Sequence, residues 1–157
     1  MAIIEASRGG YVDVVELLLK DIRVDPSAST YNNEAIIVAS KNGHTQIVEL
    51  LLKDTRVDPS AQHNIAFIWA SLHGHTQIVE LLLKDTRIDP SAQDNIAIVD
   101  ASGNGHTQIV ELLLKDTRVD PLAQDNQAIR KAKRNGHVDV VELLLKDKRV
   151  AMAAKKL

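Results

Sequence analysis

Histidine has the clearest capacity for chemistry in this 157-residue sequence, because its side chain binds metal ions and transfers protons near neutral pH. His73 and His75 flank Gly74 at a spacing that could bring both rings to one metal ion. No carboxylate stands within the same turn, and the sequence has no cysteine to complete a ligand set. We therefore predict no metal site here.

The other histidines follow a repeating pattern. His44, His75, His106 and His137 each come directly after a glycine. A catalytic group is needed once, whereas this residue is copied four times. The repetition favours a structural role for the ring.

Carboxylates and arginines alternate in the segments between the apolar runs, at Asp54, Arg56, Asp58, Asp85, Arg87 and Asp89. We expect them to form a ladder of ion pairs between repeats. Acid–base catalysis needs two carboxylates in one pocket with different environments, and a repeated exposed loop offers none. The sequence also lacks a glycine-rich phosphate loop, a nucleophile elbow and a zinc-protease motif. We predict no enzymatic activity, no catalytic residue and no cofactor.

The composition excludes further classes of function. The net charge is −2, so no basic excess is present to bind a nucleic acid backbone. No apolar run approaches the ~18–20 residues of a membrane span, and the start is too short and too acidic for a signal peptide. With no cysteine, these features indicate a soluble, cytoplasmic protein.

Internal repetition determines the predicted fold. Residues 44–56 recur unchanged from His75 and from His106, and in altered form from Tyr11 and from His137. The repeats are 31 residues apart, except that the turn at residues 29–33 makes the first interval two residues longer. Five units therefore fill a single domain over residues 1–157, with approximate boundaries 1–29, 30–62, 63–93, 94–124 and 125–157.

Each unit reads as two helices. The second carries apolar residues at i, i+1, i+4 and i+5, namely Ile47, Val48, Leu51 and Leu52, and ends before Pro59. Thr45 is its expected N-cap. The first helix runs from about Ile65 to Leu72, with Asn64 as expected N-cap and Gly74 as the stop. Since two short helices cannot bury an apolar face alone, we predict an all-α, helix-turn-helix repeat solenoid of five stacked units.

The spacing of these residues resembles the ankyrin repeat. The resemblance rests on Ala39-Ser40, Gly43-His44, Ile47-Val48, Leu51-Leu52 and Val57-Asp58, and it covers essentially the whole chain. It implies L-shaped units, a hydrogen-bonding role for the repeated histidine, and protein recognition by a concave surface of first helices and turns. The chain departs from the family at Ile65-Ala66-Phe67-Ile68, and most turns are two residues short, so we expect stunted hairpin fingers. Such short repeats are similar to ankyrin arrays of large DNA viruses and protists.

Differences between the units are concentrated in the first helix. Units two to four share one second-helix sequence, even at the solvent positions Gln46, Glu49 and Lys53. Four first-helix columns vary instead: Glu34, Ile65, Ile96 and Gln127; Ile37, Ile68, Val99 and Arg130; Val38, Trp69, Asp100 and Lys131; Lys41, Leu72, Gly103 and Arg134.

These columns define the predicted partner-binding surface. Phe67, Ala70 and Ser71 form one side of the first helix, suited to packing on the second helix, and the variable columns lie on the other side. Trp69 is central, and tryptophan is enriched at interface hot spots. For Ile37, Ile68 and Val99, burial between repeats is an equal alternative. The predicted binding residues are Val38, Lys41, His63, Ile65, Ile68, Trp69, Leu72, His73, Ile96, Val99, Asp100, Arg130, Lys131 and Arg134.

Three hypotheses for function follow. The first is an engineered or selected ankyrin-type binder that recognises a protein through its concave face. The second is a natural viral or protist array that mediates host protein interaction, and the third is a consensus-repeat design with no partner. Without a partner, the apolar patch would drive self-association. The last unit has the polar outer side of a terminal repeat, with Arg130, Lys133 and a Lys155-Lys156 tail.

Overall fold

The computed structural model describes residues 1–28 and 32–154, and within these ranges the secondary structure is helical with no β-strand. The longer turn expected at residues 29–33 lies mostly outside the described residues, and the Lys155-Lys156 tail lies wholly outside them.

Helices account for most of the described residues. They are α1 Ala2–Gly9, α2 Val12–Lys20, α3 Glu34–Lys41, α4 Thr45–Leu52, α5 Ala61–Leu72, α6 Thr76–Leu83, α7 Ala92–Gly103, α8 Thr107–Lys115, α9 Ala123–Asn135, α10 Val138–Lys146 and α11 Lys148–Ala154.

The helices stack in two layers. In the first-helix layer, α1, α3, α5, α7 and α9 each contact the next, and in the second-helix layer α2, α4, α6, α8 and α10 do the same. Each first helix also packs on the second helix of its own unit, and α11 packs on α10. The prediction of an all-α solenoid of five stacked helix pairs is confirmed.

Both layers contribute to one continuous, mostly aliphatic core. Phe67 is its only phenylalanine and is fully buried, as are Ile47 and Leu51 of α4. Ala70 and Ser71, which were expected to share the packing side of the first helix with Phe67, are also fully buried. The predicted inner side of the first helix is therefore confirmed.

The helix starts differ from the predicted caps. Helix α4 begins at Thr45 itself, after His44, and no side chain caps it. The Oδ1 of Asn64 accepts a hydrogen bond from the backbone N–H of Asp89, in the loop that follows the second helix of the same unit, at 2.9 Å. Asn33 and Asn95 accept equivalent bonds at 2.7 Å. These asparagines therefore connect the start of the first helix to the loop after the second helix of the same unit. Asn33 stands at the predicted N-cap position of α3, but its side chain makes no cap hydrogen bond.

The first residues of α5, α7 and α9, the first helices of units three to five, include a left-handed turn. In unit three, Gln62, His63 and Asn64 have φ values of 54°, 58° and 64°, and the right-handed helix starts after them, at the predicted Ile65. This conformation costs roughly 1–2 kcal/mol for each residue with a side chain. Hydrogen bonds between units offset part of this cost, including Gln93 Nε2 to the His63 carbonyl at 3.3 Å.

Among the described residues, the direct ion pairs of the charged loops lie within one loop and not, as expected, between repeats; the carboxylate of the preceding repeat has a smaller effect, as Asp58 has in raising the pKa of Arg87. Arg87 pairs with Asp85 of its own loop, through Nε at 2.9 Å and Nη2 at 2.7 Å, and its Nη1 donates to the Val57 carbonyl of the preceding unit at 2.9 Å. The side-chain hydrogen bond from Arg87 lowers the pKa of Asp85 and raises that of Arg87. Arg56, Arg118 and Arg149 repeat this arrangement. The ion pairs thus shape each loop, while arginine-to-carbonyl bonds connect the units.

The repeated histidines connect the units in the way that the resemblance implied. The Nε2 of His75 lies 2.9 Å from the Lys41 carbonyl oxygen, which can only accept, so Nε2 carries the proton. His44, His106 and His137 make the same bond at 2.9–3.0 Å. Each ring also packs over a glycine of the preceding unit: a Cβ at Gly43 would lie 2.7 Å from His75 Cε1. This contact requires glycine there.

Candidate functional site

The predicted binding residues fall into three groups by exposure. Exposed side chains are Lys41, His63, His73, Arg130 and Arg134. Half-buried side chains are Ile65, Trp69, Leu72, Ile96, Asp100 and Lys131. The third group, Val38, Ile68 and Val99, is buried.

The buried group corrects part of the prediction. Ile68 is 5 % exposed and Val99 is 1 % exposed, so this column belongs to the core, as does Ile37. Between the two alternatives that the sequence left open for this column, burial is the outcome. Val38 is also buried, contrary to the expectation that it would be displayed to solvent. A short apolar run does not fix the rotation of a helix, which is why these positions were ambiguous.

Trp69 and Leu72 remain accessible. Both are half-buried, and Trp69 packs against the core with part of its ring in solvent. Ile65 and Ile96 are arranged in the same way. The middle units therefore present half-buried apolar side chains next to one another, on the outer side of α5 and α7.

Trp69 forms one wall of an open groove of about 390 Å³ between the first helices. We call it the Trp69 groove. Its lining residues are Arg8 of α1, Glu34, Ile37, Val38, Lys41 and Asn42 of α3 and its end, and Gln62 and Trp69 of α5. Because Ile37 and Val38 are nearly buried, they form an apolar floor, and the polar residues surround it. The groove is thus suited to an apolar side chain with a polar neighbour.

The cations around the groove differ in whether a carboxylate neutralises them. Arg8 Nη2 lies 3.2 Å from Glu34 Oε1, so these two groups neutralise each other. Lys41 Nζ lies 4.3 Å from the centroid of the Trp69 ring, a cation–π contact, and forms no ion pair among the described residues. An anionic group brought to the groove would therefore meet Lys41 as an uncompensated cation.

At the opposite end of the same surface, two of the predicted binding residues form an ion pair with each other. Lys131 Nζ lies 2.9 Å from Asp100 Oδ1, and both side chains are at least three-quarters shielded from solvent. The Lys131 stem lies over Gly103, where a Cβ would be 3.1 Å from its Cδ. Arg130 and Arg134 remain exposed beyond this pair. Of the predicted binding residues there, these two are the accessible cations.

His73 lies beside the groove residues without forming a metal centre with His75. The two ring centroids are 6.2 Å apart, and His75 Nε2 is already bonded to the Lys41 carbonyl. Burial lowers the pKa of His73, with smaller contributions from His75, Lys41 and His106. In the described ranges, no three His, Cys, Asp or Glu side chains are placed to hold a metal ion. His63 is exposed in the left-handed turn.

Sequence reasoning missed two features. Arg8, Asn42 and Gln62 line the groove but were not proposed, although Arg8 occupies the same repeat position as Lys41. Several large apolar side chains of the described residues are exposed outside this surface. They include Val14 and Leu17 on α2 of the first unit.

Comparisons with known proteins agree with this architecture. A family model described as ankyrin repeats in three copies matches residues 3–94, and a model of the single ankyrin repeat matches residues 96–126. No curated protein matches the chain. Across the described residues, no helix combines the length and apolarity needed to cross a membrane.

Proposed function

Because the chain belongs to the ankyrin repeat family, whose repeats generally mediate protein–protein interaction, we propose that it is a non-enzymatic module that binds a protein target. The proposed binding surface is the outer side of the first helices in units two to four, which in this family faces the concave side of the stack. The Trp69 groove is the observation that carries this proposal.

The groove supports protein binding by its chemistry. A tryptophan with one accessible face, an apolar floor and a polar rim is the arrangement that binds an anchoring side chain of a partner. Ile65, Leu72 and Ile96 continue the apolar surface beside it. Val38, Ile68 and Val99 would act from beneath, as support for the groove, since they have little surface to offer a partner.

The charges indicate what kind of segment fits. Lys41 is the cation at the groove that no carboxylate of the described chain neutralises, and Arg134 is exposed at the same repeat position. We therefore propose that the target presents an apolar side chain next to a carboxylate. The apolar group would contact Trp69, and the carboxylate would contact Lys41.

The repeats support an origin as an engineered or selected scaffold. Gln46, Glu49 and Lys53 are exposed in the structure, yet they are identical in units two to four. Neutral drift should vary such positions, because substitutions there usually change stability by less than about 0.5 kcal/mol. A natural viral or protist array would bind a host protein in the same way. A design without a partner is opposed by the half-buried Trp69, Ile65 and Ile96, which a stability design would have replaced with polar residues.

The test compares two faces of one unit. A protein captured by the immobilised chain is purified and titrated calorimetrically against the unaltered chain, Trp69→Ala and Gln77→Ala. Gln77 is exposed on α6, the second helix of the same unit. We expect Trp69→Ala to weaken binding by roughly 30-fold or more, as for a hot-spot tryptophan. Gln77→Ala should leave the affinity unchanged.

The outcome against the proposal is also defined. If Gln77→Ala weakens binding and Trp69→Ala does not, the site lies on the second-helix layer. A thermal melt of each variant confirms that the protein remains folded, so that a loss of binding at Trp69 reports the surface itself.

A further inference from the structure

The first unit exposes an apolar surface that the other units bury. Val14 is 47 % exposed, whereas Ile47, Ile78, Ile109 and Val140, which occupy its position in units two to five, are completely buried. Leu17, one turn further along α2, is 70 % exposed. Val14 and the neighbouring Ala2, Glu5 and Gly9 line an open hollow of about 370 Å³. We call this surface the N-terminal face.

The N-terminal face is the same surface that connects the other units. In units two to five, the helix corresponding to α2 contacts the second helix of the preceding unit, so α2·α4, α4·α6, α6·α8 and α8·α10 are all packed pairs. The residues at the Val14 position are buried by this stacking. The face on unit one is thus one half of an interface whose other half occurs four times in the chain.

The Arg23 side chain has the same geometry as the arginines that form the polar part of that interface in the other units. Its Nε and Nη2 bond to Asp21 at 2.9 Å and 2.6 Å, as the corresponding arginines bond to their own loop carboxylates. In the four later units the Nη1 atom then donates to a carbonyl of the preceding unit. The Arg23 side chain is 87 % exposed, against 37 % for Arg56. The donor is oriented, and its acceptor would come from a preceding unit.

The loop that carries Arg23 is also preformed. Asp25 Oδ1 accepts from the Ser27 backbone N–H at 2.9 Å and from its hydroxyl at 2.7 Å. Asp58 and Ser60 have the same two bonds at the same distances in unit two. The loop of unit one therefore already has the conformation that the loop of a stacked unit has.

The other end of the chain does not match this face. At the position of Ile68, which is buried against the following unit, the last unit has the exposed Arg130, and at the position of Ser71 it has the exposed Lys133. Helix α11 packs on α10 at that end, and it contains Val150, the residue that corresponds to Val57 and Val119, whose backbone carbonyls accept hydrogen bonds from the arginine of the following unit. A second copy stacked head to tail would therefore bring two cations of its α9 against α1, where a middle unit brings an apolar side chain and a serine.

We propose that the N-terminal face is a docking surface for one further helix pair of the same repeat type, which would extend the stack ahead of α1. Such a unit would bury Val14 and Leu17, fill the hollow beside Glu5, and supply the backbone carbonyl for Arg23 Nη1. Tyr11 stands where the other units have histidine, so the ring-to-carbonyl bond is missing from this junction. This inference does not depend on the proposed protein target.

The proposal is tested by extending the chain. A methionine and a copy of residues 66–96 are joined directly ahead of Ala2, since Ile96 precedes Ala97 at the equivalent junction. We expect the melting temperature to rise by about 5 °C or more, because stability of a repeat array grows with each interface. Arg23→Ala should lower the melting temperature by about 3 °C in the extended chain and by less than about 1 °C in the original.

Two further variants make the test specific. Val14→Asp should remove most of the gain in the extended chain while leaving the original chain nearly unchanged. Ile22→Thr should have no effect in either, because Ile22 is 88 % exposed and its equivalents Thr55 and Thr86 remain exposed in stacked units. An unchanged melting temperature, with the added residues cut readily by protease, would overturn the proposal. So would sedimentation showing that the original chain dimerises through this face and that Val14→Asp abolishes the dimer.

Discussion

Replacing Gly74 with alanine should separate two costs at the histidine-to-glycine contact between units. Gly74 has a φ of +80°, and a Cβ there would lie 2.7 Å from His106 Cε1 and 2.8 Å from its Nδ1. Gly136 has nearly the same φ, +78°, but no following histidine, and a Cβ there would meet nothing within 4 Å. Gly136→Ala therefore measures the backbone cost alone.

The expected magnitudes follow from these two environments. A left-handed alanine costs roughly 1–2 kcal/mol, and the reduced freedom of the unfolded chain returns about 0.4–1 kcal/mol, so Gly136→Ala should cost about 1 kcal/mol. At Gly74 the new methyl group must also displace the His106 ring, whose Nε2 lies 2.9 Å from the Leu72 carbonyl. Loss of this hydrogen bond and the crowding should add about 2 kcal/mol, for a total of about 3 kcal/mol.

Urea unfolding monitored by circular dichroism measures both variants, and a double-mutant cycle identifies the cause. In a His106→Ala background, Gly74→Ala should cost only about 1 kcal/mol, giving a coupling of about 2 kcal/mol. Gly10→Ala, next to His44 at the other end of the stack, controls for fraying of terminal units. Equal costs at Gly74 and Gly136, or additive effects in the cycle, would refute the assignment of the histidine contact as the reason for glycine.

Three other predictions concern the turns and the titrating groups. His63→Gly should raise the free energy of unfolding by up to about 1 kcal/mol in urea titrations, because φ is 58° there. Asp85 has a lowered pKa owing to its hydrogen bonds with Arg87, so this pair stabilises the fold above about pH 4 and the contribution is lost as pH falls through the folded-state pKa. Arg87→Met should flatten that acid dependence of the urea midpoint. NMR titration should give His73 a pKa below about 6.5, and Lys41→Gln should raise it; a value above 6.5 would contradict the effect of burial.

The spacing of the apolar residues predicted the fold, because this spacing can be read from the sequence alone. The spacing of Ile47, Val48, Leu51 and Leu52 can be satisfied only by a helix with one buried side, and its repetition requires neighbours of the same shape. The start of the first helix at Ile65 was also predictable, since the asparagine before it breaks the helix. The contacts of that asparagine were not predictable. Its side chain could bond to its own helix or to a loop distant in sequence, and only the folded helix pair brings the backbone N–H of Asp89 within reach.

The candidate site was predicted less completely, for a related reason. Comparison of the units showed which columns vary, but variation does not reveal the direction of a side chain. Ile68 and Trp69 are neighbours in sequence, and a rotation of the helix by about 100° exchanges the roles of adjacent positions. The polar substitutions in the Trp69 column correctly indicated partial exposure. The Ile68 column holds Arg130, yet this residue belongs to the last unit and has no following unit to bury it.

The difference between middle and terminal units explains why Arg130 and Val14 are exposed although their equivalents in other units are buried. A residue in a solenoid is buried by its neighbouring unit, so the same position is core in one repeat and surface in another. Arg130 occupies a first-helix core position that is open to solvent in the last unit, and Val14 occupies a second-helix core position that is open to solvent in the first unit, with its apolar side chain retained. The two ends are thus unlike: the last unit replaces apolar contacts with cations, whereas the first keeps Val14, Leu17 and an oriented Arg23. Position in the stack, together with residue type, determines which surfaces of this protein are available to a partner.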